Sequence, residues 1–294
     1  MTINKFRGTG VALVTPFKKN GRVDYNALSK IVDFQIENGV NYLVVMGTTA
    51  EVATLSDDEK LSVINHIIEV NAKRVPLVVG FGGNCTQTIV QQIEDFSEFD
   101  EIDAILSVAP YYNKPNQKGL FLHYKAIANV SPVPVILYNV PGRTGVNINA
   151  ETCLKLASKI ENIIGIKEAS GNMEQIMSIL KDKPNDFLVI SGDDSITYPL
   201  ISLGACGVIS VLGNAFPKEW SSMVKLALEG KNEEALAIHY KLFDVIKNIF
   251  TEGNPAGIKA ILNSKNLCEN HLRLPLTPIS DLHHQKLSEI VDNL

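Results

Sequence analysis

Lys167 closes an apolar run, Asn162-Ile163-Ile164-Gly165-Ile166-Lys167-Glu168-Ala169-Ser170, that reads as a short buried strand. Side chains alternate along a strand, so Gly165 and Lys167 share one face and Ile164, Ile166 and Glu168 the other. Lysine is rarely buried unless it is paired or functional. Burial favours the neutral, nucleophilic amine that imine formation on a carbonyl substrate requires. The plain alternative is a lysine that snorkels out at a strand end. On a second strand, Ile136 and Tyr138 share a face opposite to Leu137 and Asn139. If Tyr138 points inward it meets the same lumen as Lys167, and its hydroxyl can pass protons as a carbinolamine forms and dehydrates. Ordinary packing with a hydrogen-bonded tip is the competing reading for each tyrosine, and the better one for Tyr111. Thr48, Thr49 and the Tyr111-Tyr112 pair can extend a hydroxyl chain toward water. Gly47-Thr48-Thr49 follows a strand directly, and the free backbone amides of such a turn can hold a carboxylate. Arg143, in the loop Pro141-Gly142-Arg143-Thr144-Gly145, can grip a second carboxylate with two parallel hydrogen bonds, or can be a solvated loop residue. Together these groups suit an aldol-type reaction between two small keto or aldehyde acids.

Elements that position such groups follow from the spacing of apolar residues. Strands are expected at Gly10 to Val14, Val40 to Met46, Val75 to Phe81, Ala104 to Val108, Val133 to Leu137, the lysine strand, Phe187 to Ile190 and Gly207 to Val211. Helices alternate with them. Asp24 caps the first, Ser56-Asp57-Asp58-Glu59 opens another as a capping box, and Thr86 to Phe99, Gly119 to Asn129 and Ala150 to Ser158 follow. Met173 to Leu180 and Pro199 to Leu203 are helical, and after the last strand only helices remain: Ser221 to Glu229, Glu233 to Phe250, Gly257 to Leu262 and Leu282 to Val291. Strand–helix alternation implies right-handed parallel crossovers, and eight units in a row favour a closed (β/α)8 TIM barrel over an open doubly wound sheet. The expected organisation is a catalytic barrel over residues 1–214 and a C-terminal helical extension over 215–294.

In such a barrel the site lies at the carboxyl ends of the strands. Those ends carry Thr15, Thr48, Thr49, Asn84, Tyr111, Tyr112, Tyr138, Asn139, Lys167, Asp193 and Ser210. No histidine is among them; His66, His123, His239, His271, His283 and His284 fall in helices or the tail and read as surface residues, so no metal site is expected. The chain of 294 residues carries a formal net charge of −5 and no basic stripe, which argues against a nucleic-acid partner. Its four cysteines are widely spaced and form no metal or redox pair. No apolar run is long enough for a signal or a membrane span, so a cytoplasmic protein with no membrane partner is expected.

These residues, together with the motifs around them, resemble the dihydrodipicolinate synthase family. The matching stretches, in order, are Gly47-Thr48-Thr49-Ala50-Glu51 with Thr54-Leu55, Tyr111-Tyr112-Asn113-Lys114-Pro115, Tyr138-Asn139-Val140-Pro141-Gly142-Arg143-Thr144, Gly165-Ile166-Lys167-Glu168-Ala169, Ser191-Gly192-Asp193-Asp194 and Gly207-Val208-Ile209-Ser210-Val211. The resemblance implies a Schiff-base lyase of lysine and diaminopimelate biosynthesis that condenses pyruvate with aspartate semialdehyde to give 4-hydroxy-tetrahydrodipicolinate. It implies that Lys167 forms the imine and that Tyr138 donates and accepts protons. Thr48 would link Tyr138 to Tyr112, which would reach in from a neighbouring subunit. Amides at Thr48 and Thr49 would hold the pyruvate carboxylate, Ile209 would line its pocket, and Arg143 would meet the carboxylate of the semialdehyde. No metal or organic cofactor is implied, and the assembly would be a homotetramer, a dimer of dimers.

Lysine-inhibited members of that family carry a histidine after the Thr-Leu pair and a glutamate shortly after the third strand's asparagine. Here those stretches read Ser56-Asp57-Asp58-Glu59-Lys60 and Asn84-Cys85-Thr86-Gln87-Thr88. A cation at Lys60 and no anion at Thr88 disfavour a bound lysine ammonium, so feedback by lysine is expected to be weak or absent. Within the family the rival is an N-acetylneuraminate lyase or keto-deoxy sugar acid aldolase, in which Arg143 would have no clear role. A pyridoxal-phosphate enzyme would need a phosphate nest after strands seven and eight, for which Gly213-Asn214 is weak support. A non-catalytic pyruvate-binding regulator would be expected to lose Tyr138 or Lys167, and both are present.

Overall fold

The structure is a computed structural model that describes residues 3–294. Eight parallel strands among them close into a barrel in chain order: β1 Gly8–Ala12, β2 Tyr42–Val45, β3 Leu77–Gly80, β4 Ala104–Val108, β5 Val135–Asn139, β6 Ile163–Glu168, β7 Leu188–Ser191 and β8 Gly207–Ser210. β8 closes the ring on β1 through Gly8 opposite Gly207. Helices α1 Tyr25–Glu37, α2 Asp57–Asn71, α3 Thr86–Glu94 and α4 Gln117–Val130 join the first five strands. The turn α5 Pro141–Thr144, then α6 Ala150–Lys159, α7 Met173–Asp182 and α8 Thr197–Ser202, join the rest. After β8 come α9 Pro217–Leu228, α10 Asn232–Asn248, α11 Ala256–Ser264 and α12 Asp281–Asp292. α9 packs on β1 and β8, so it takes the eighth place in the outer ring. The TIM barrel and the helices beyond it are as expected.

The strands are apolar on both faces because both are covered. One cluster, with Leu43, Val79, Ile105, Leu137, Ile166 and Val189, faces the helices. A second fills the lumen with Phe6, Tyr42, Val44, Leu106, Ile136 and Ile190. Local signals start the helices as the sequence indicates. Asp24 accepts from the Ala27 amide, and Ser56 and Glu59 form the reciprocal capping box of α2.

Four details differ from simple periodicity. The β5–β6 register shifts between Val135 and Ile136, which face Ile163 and Gly165 in turn, so Ile164 is the extra residue of a bulge. Ile164 therefore joins the lumen cluster, while Ile166 stays on the helix side. Strict alternation put the two on one face. α3 stops at Glu94, short of Phe99, because Phe96 and Phe99 leave the helix to pack on Phe81, with ring centroids 5.3 and 6.2 Å away. The Pro141–Thr144 stretch, read as a loop, is one helical turn ended by Gly145 in the left-handed region at φ 71°. The histidines are not all at the surface: His123, His239 and His283 are buried. His123 meets the Thr86 hydroxyl through Nδ1 at 2.8 Å, and burial pushes its pKa down to about 4.

The extension is tied to the barrel by Arg273. Its guanidinium takes Glu59 with two nitrogens, donates to the carbonyls of Thr54 and Gly21, and lies over the Phe17 ring at 4.4 Å. The Arg273 guanidinium holds the Glu59 carboxyl down from 4.5 to about 2. A depressed carboxyl stabilises the fold above its unfolded value, and that contribution is lost as the pH falls toward the folded value. Arg273→Gln is therefore expected to melt lower than wild type at pH 7, by a few degrees at about 2–4 °C per kcal/mol. The gap should narrow between pH 4.5 and about 2, leaving the share of the carbonyl and ring contacts. Calorimetry of both proteins across that range is the check, and a gap independent of pH would refute the ion-pair account.

Candidate active site

Lys167 and Tyr138 are paired across the β5–β6 ladder at the carboxyl ends of their strands. Both are almost wholly buried, at 5% and 6% exposed. The Lys167 Nζ lies 4.3 Å from the centroid of the Tyr138 ring. No carboxylate forms an ion pair with Lys167 among the described residues. Gly192 makes its space, while Gly165 makes space for the neighbouring strand. A Cβ on Gly165 would stand 2.8 Å from the Leu188 side chain and carbonyl, and one on Gly192 would stand 3.1 Å from the Lys167 Cγ.

The next rung is made on the outer face. Asn139 opposes Glu168, and its Nδ2 donates to both carboxylate oxygens at 3.1 Å. The Ser170 amide and Gln175 Nε2 also donate to Glu168, at 2.8 and 3.2 Å. Burial pushes the Glu168 carboxyl up, and these hydrogen bonds oppose it. The bonded rung holds Lys167 and Tyr138 level with each other, while the carboxylate beside Lys167 in sequence points away from the amine.

Thr48 sits on a short 3-10 turn, Thr48–Ala50, directly after β2. Met46 and Glu51 flank the turn in the left-handed region, at φ 57° and 54°. The turn's internal bonds run from Ala50 N–H to the Gly47 carbonyl and from Glu51 N–H to the Thr48 carbonyl, so the amides of Thr48 and Thr49 find no backbone acceptor among the described residues. Thr49 is buried and accepts from Asn254 Nδ2 at 3.1 Å; Thr15 Oγ1 donates to the Ala50 carbonyl at 2.8 Å.

A cavity of about 720 Å³ opens beside these groups and is walled by Thr48, Glu51, Tyr111, Tyr138, Arg143 and Asn254 among others. Arg143 reaches it from α5 with an exposed guanidinium and no ion-pair partner among the described residues. Lys167 lies against the Tyr138 ring rather than on the cavity wall, and Ile209 belongs to the lumen cluster with Tyr138. Tyr112 stands apart. It is 87% exposed with φ 72°, and within the chain no side-chain hydrogen bond links it to Thr48 or Tyr138. Lys259, Asn254 and the structural use of Glu51 are not among the residues that the sequence singles out. Lys259 pairs with Glu51 in the interior. Its signal was available: it is the one charge in the apolar helix Gly257 to Leu262. No helix of the described residues is long and apolar enough to cross a membrane, and none of their His, Cys, Asp and Glu side chains cluster in a way that could hold a metal ion.

A parallel eight-stranded barrel with a buried lysine against a tyrosine ring, beside a cavity walled by Thr48 and Arg143, has the form of a lyase of the aldol type. The chain belongs to the dihydrodipicolinate synthetase family, whose model matches residues 5–294. It is 53% identical over 288 residues to the 4-hydroxy-tetrahydrodipicolinate synthase of Parabacteroides distasonis, covering 98% of this chain and 97% of that one. A crystal structure of dihydrodipicolinate synthase from Aquifex aeolicus matches with a TM-score of 0.94 at 42% identity, covering 98% of each chain. A structure of the chloride-inhibited enzyme from Acinetobacter baumannii complexed with pyruvate matches at 0.94 and 40% identity, again over 98% of each.

Proposed function

We propose that this lyase condenses pyruvate with aspartate semialdehyde through an imine on Lys167, releasing 4-hydroxy-tetrahydrodipicolinate. One observation carries the reading: an amine with no anionic partner, held 4.3 Å from the Tyr138 ring. Nζ attacks the C2 carbonyl of pyruvate, and loss of water from the carbinolamine gives the imine. Loss of a C3 proton gives an enamine, whose C3 attacks the aldehyde carbon. The amino group of the semialdehyde then attacks C2 and displaces the lysine, which closes the ring. Tyr138 moves the protons. The free amides of Thr48 and Thr49 take the pyruvate carboxylate, Ile209 lines that subsite, and Arg143 takes the carboxylate of the semialdehyde. The unengaged guanidinium favours this second substrate over N-acetylneuraminate or a keto-deoxy sugar acid.

The exposure of Tyr112 supports its entry into a neighbouring subunit's site, where it would bond Thr48 and so extend the relay from Tyr138. The assembly would be a homotetramer, which sedimentation velocity reads directly. Four unpaired cysteines, one of them exposed, fit a reducing cytoplasm. Insensitivity to lysine fits the surface that lacks the anion. Lys60 is held by Asp57 at 2.8 Å, and Thr88 carries no charge.

Borohydride added with pyruvate should place a reduced pyruvyl group on Lys167, found by peptide mass mapping. Labelling elsewhere, or none, sinks the imine mechanism. Arg143→Ala should be labelled equally while its turnover of aspartate semialdehyde collapses. Tyr138→Phe keeps the ring and should melt near wild type, with kcat lower by ~10²–10⁴-fold, the usual worth of a general acid–base group; an unchanged kcat assigns Tyr138 to packing. Lysine titrated into the rate assay should leave the rate unchanged. Half-inhibition below about a millimolar, roughly −4 kcal/mol of binding, would show another group holding the ammonium.

A further inference from the structure

The Thr48–Ala50 turn depends on a backbone state that its residues do not favour. Glu51 lies in the left-handed region at φ 54°, ψ 35°. For a residue with a Cβ this state is disfavoured, and it persists only where the surroundings over-determine it.

Its own side chain does so. The Glu51 carboxylate runs into the interior and is 3% exposed. One oxygen pairs with Lys259 Nζ, and the other accepts from the Arg273 backbone amide at 3.1 Å. Lys259, on α11, is completely buried; it donates to the His271 carbonyl at 2.9 Å and lies over the Phe17 ring at 4.3 Å. Burial pulls the Lys259 amine down and the Glu51 charge pulls it back up.

A buried ion pair adds little net stability, because desolvation offsets the attraction, and apolar residues of the same volume often do as well. What a paired carboxylate supplies here is a fixed backbone. Glu51 cannot leave the left-handed region without drawing its carboxylate away from Lys259 and Arg273. The same extension reaches the turn a second time through Asn254 on Thr49.

We infer that Glu51 and Lys259 are positioning residues for the substrate carboxylate: the buried pair locks the turn so that the Thr48 and Thr49 amides stay free. This rests on the reading that those amides hold pyruvate. The pair touches no substrate, and its effect falls on the affinity for one substrate.

The test is the double variant Glu51→Gln/Lys259→Met, which removes both charges at matched size, with Glu51→Gln alone as the second variant. Each single charge left unpaired threatens the fold, whereas the double change does not. In the folded variant the KM for pyruvate should rise about tenfold, or 1.4 kcal/mol. The KM for aspartate semialdehyde should stay within about twofold of wild type. Borohydride at saturating pyruvate should still label Lys167. A pyruvate KM within about twofold of wild type, an equal rise in both KM values, or loss of fold in both variants overturns the positioning role. Failure of pyruvate to label Lys167 in the wild type would reject the reading of the site instead, so the two failures are distinguishable.

Discussion

The structure depends on keeping one amine inside a barrel end without a carboxylate to neutralise it. A lysine left in an apolar lumen normally finds an anion or withdraws to solvent, since an uncompensated charge is costly there. Here the nearest acid in sequence, Glu168, is turned to the outer face and satisfied by Asn139, Gln175 and the Ser170 amide. The Tyr138 ring, at 4.3 Å, offers the ammonium a face instead of a charge. That leaves the nitrogen able to become a nucleophile. The backbone nearby serves the separation: Gly192 makes room for the lysine stem, and the bulge at Ile164 resets which residues face the lumen.

The second dependency runs from the far end of the chain. Barrel strands fix Lys167 and Tyr138, but the turn after β2 has no strand of its own to hold it. Its conformation is set by residues some two hundred positions away, Asn254, Lys259 and Arg273, which meet Thr49 and Glu51 in space. The helical extension is thus part of the wall of the cavity as well as a cover for the barrel, since Asn254, Pro275 and Leu276 line it. Arg273 adds the outer tie, through Glu59 and two carbonyls of the barrel side.

How much of this is written in the chain depends on the range of the interaction. The eight strands and the helix caps are local, so apolar period and short polar signals located them; Ala104 to Val108 agrees to the residue. Lys167 and Tyr138 were legible because alternation and strand order bring them to one lumen. The bulge was not, since Ile163, Ile164 and Ile166 are all apolar and no side chain marks which one is extra. Burial of His123 and His239 was equally silent: a histidine on a helix shows its face only when the partner ring or hydroxyl is known. The Glu51–Lys259 pair lies in that same class, although a single charge within an apolar helix was a visible irregularity.

Charge sorting joins the two dependencies. The chain is acidic overall, at −5, yet the proposed substrates are anions. Net charge need not decide binding when local fields are focused by a cavity with low-dielectric walls. Two acids at the cavity wall, Glu51 and Asp57, are each paired with a lysine, and Asp95 accepts from Gln91. Asp194, beside the β8 end, is buried and spends one oxygen on the amides of Val211 and Leu212. Among the described residues, donors are left without a protein partner there, the amides of Thr48 and Thr49 and the guanidinium of Arg143, beside two neutral or half-engaged acceptors, Asn254 Oδ1 and Asp194 Oδ1. An acidic protein can therefore present a locally positive surface to two carboxylates, because the carboxylates on the cavity wall are already engaged.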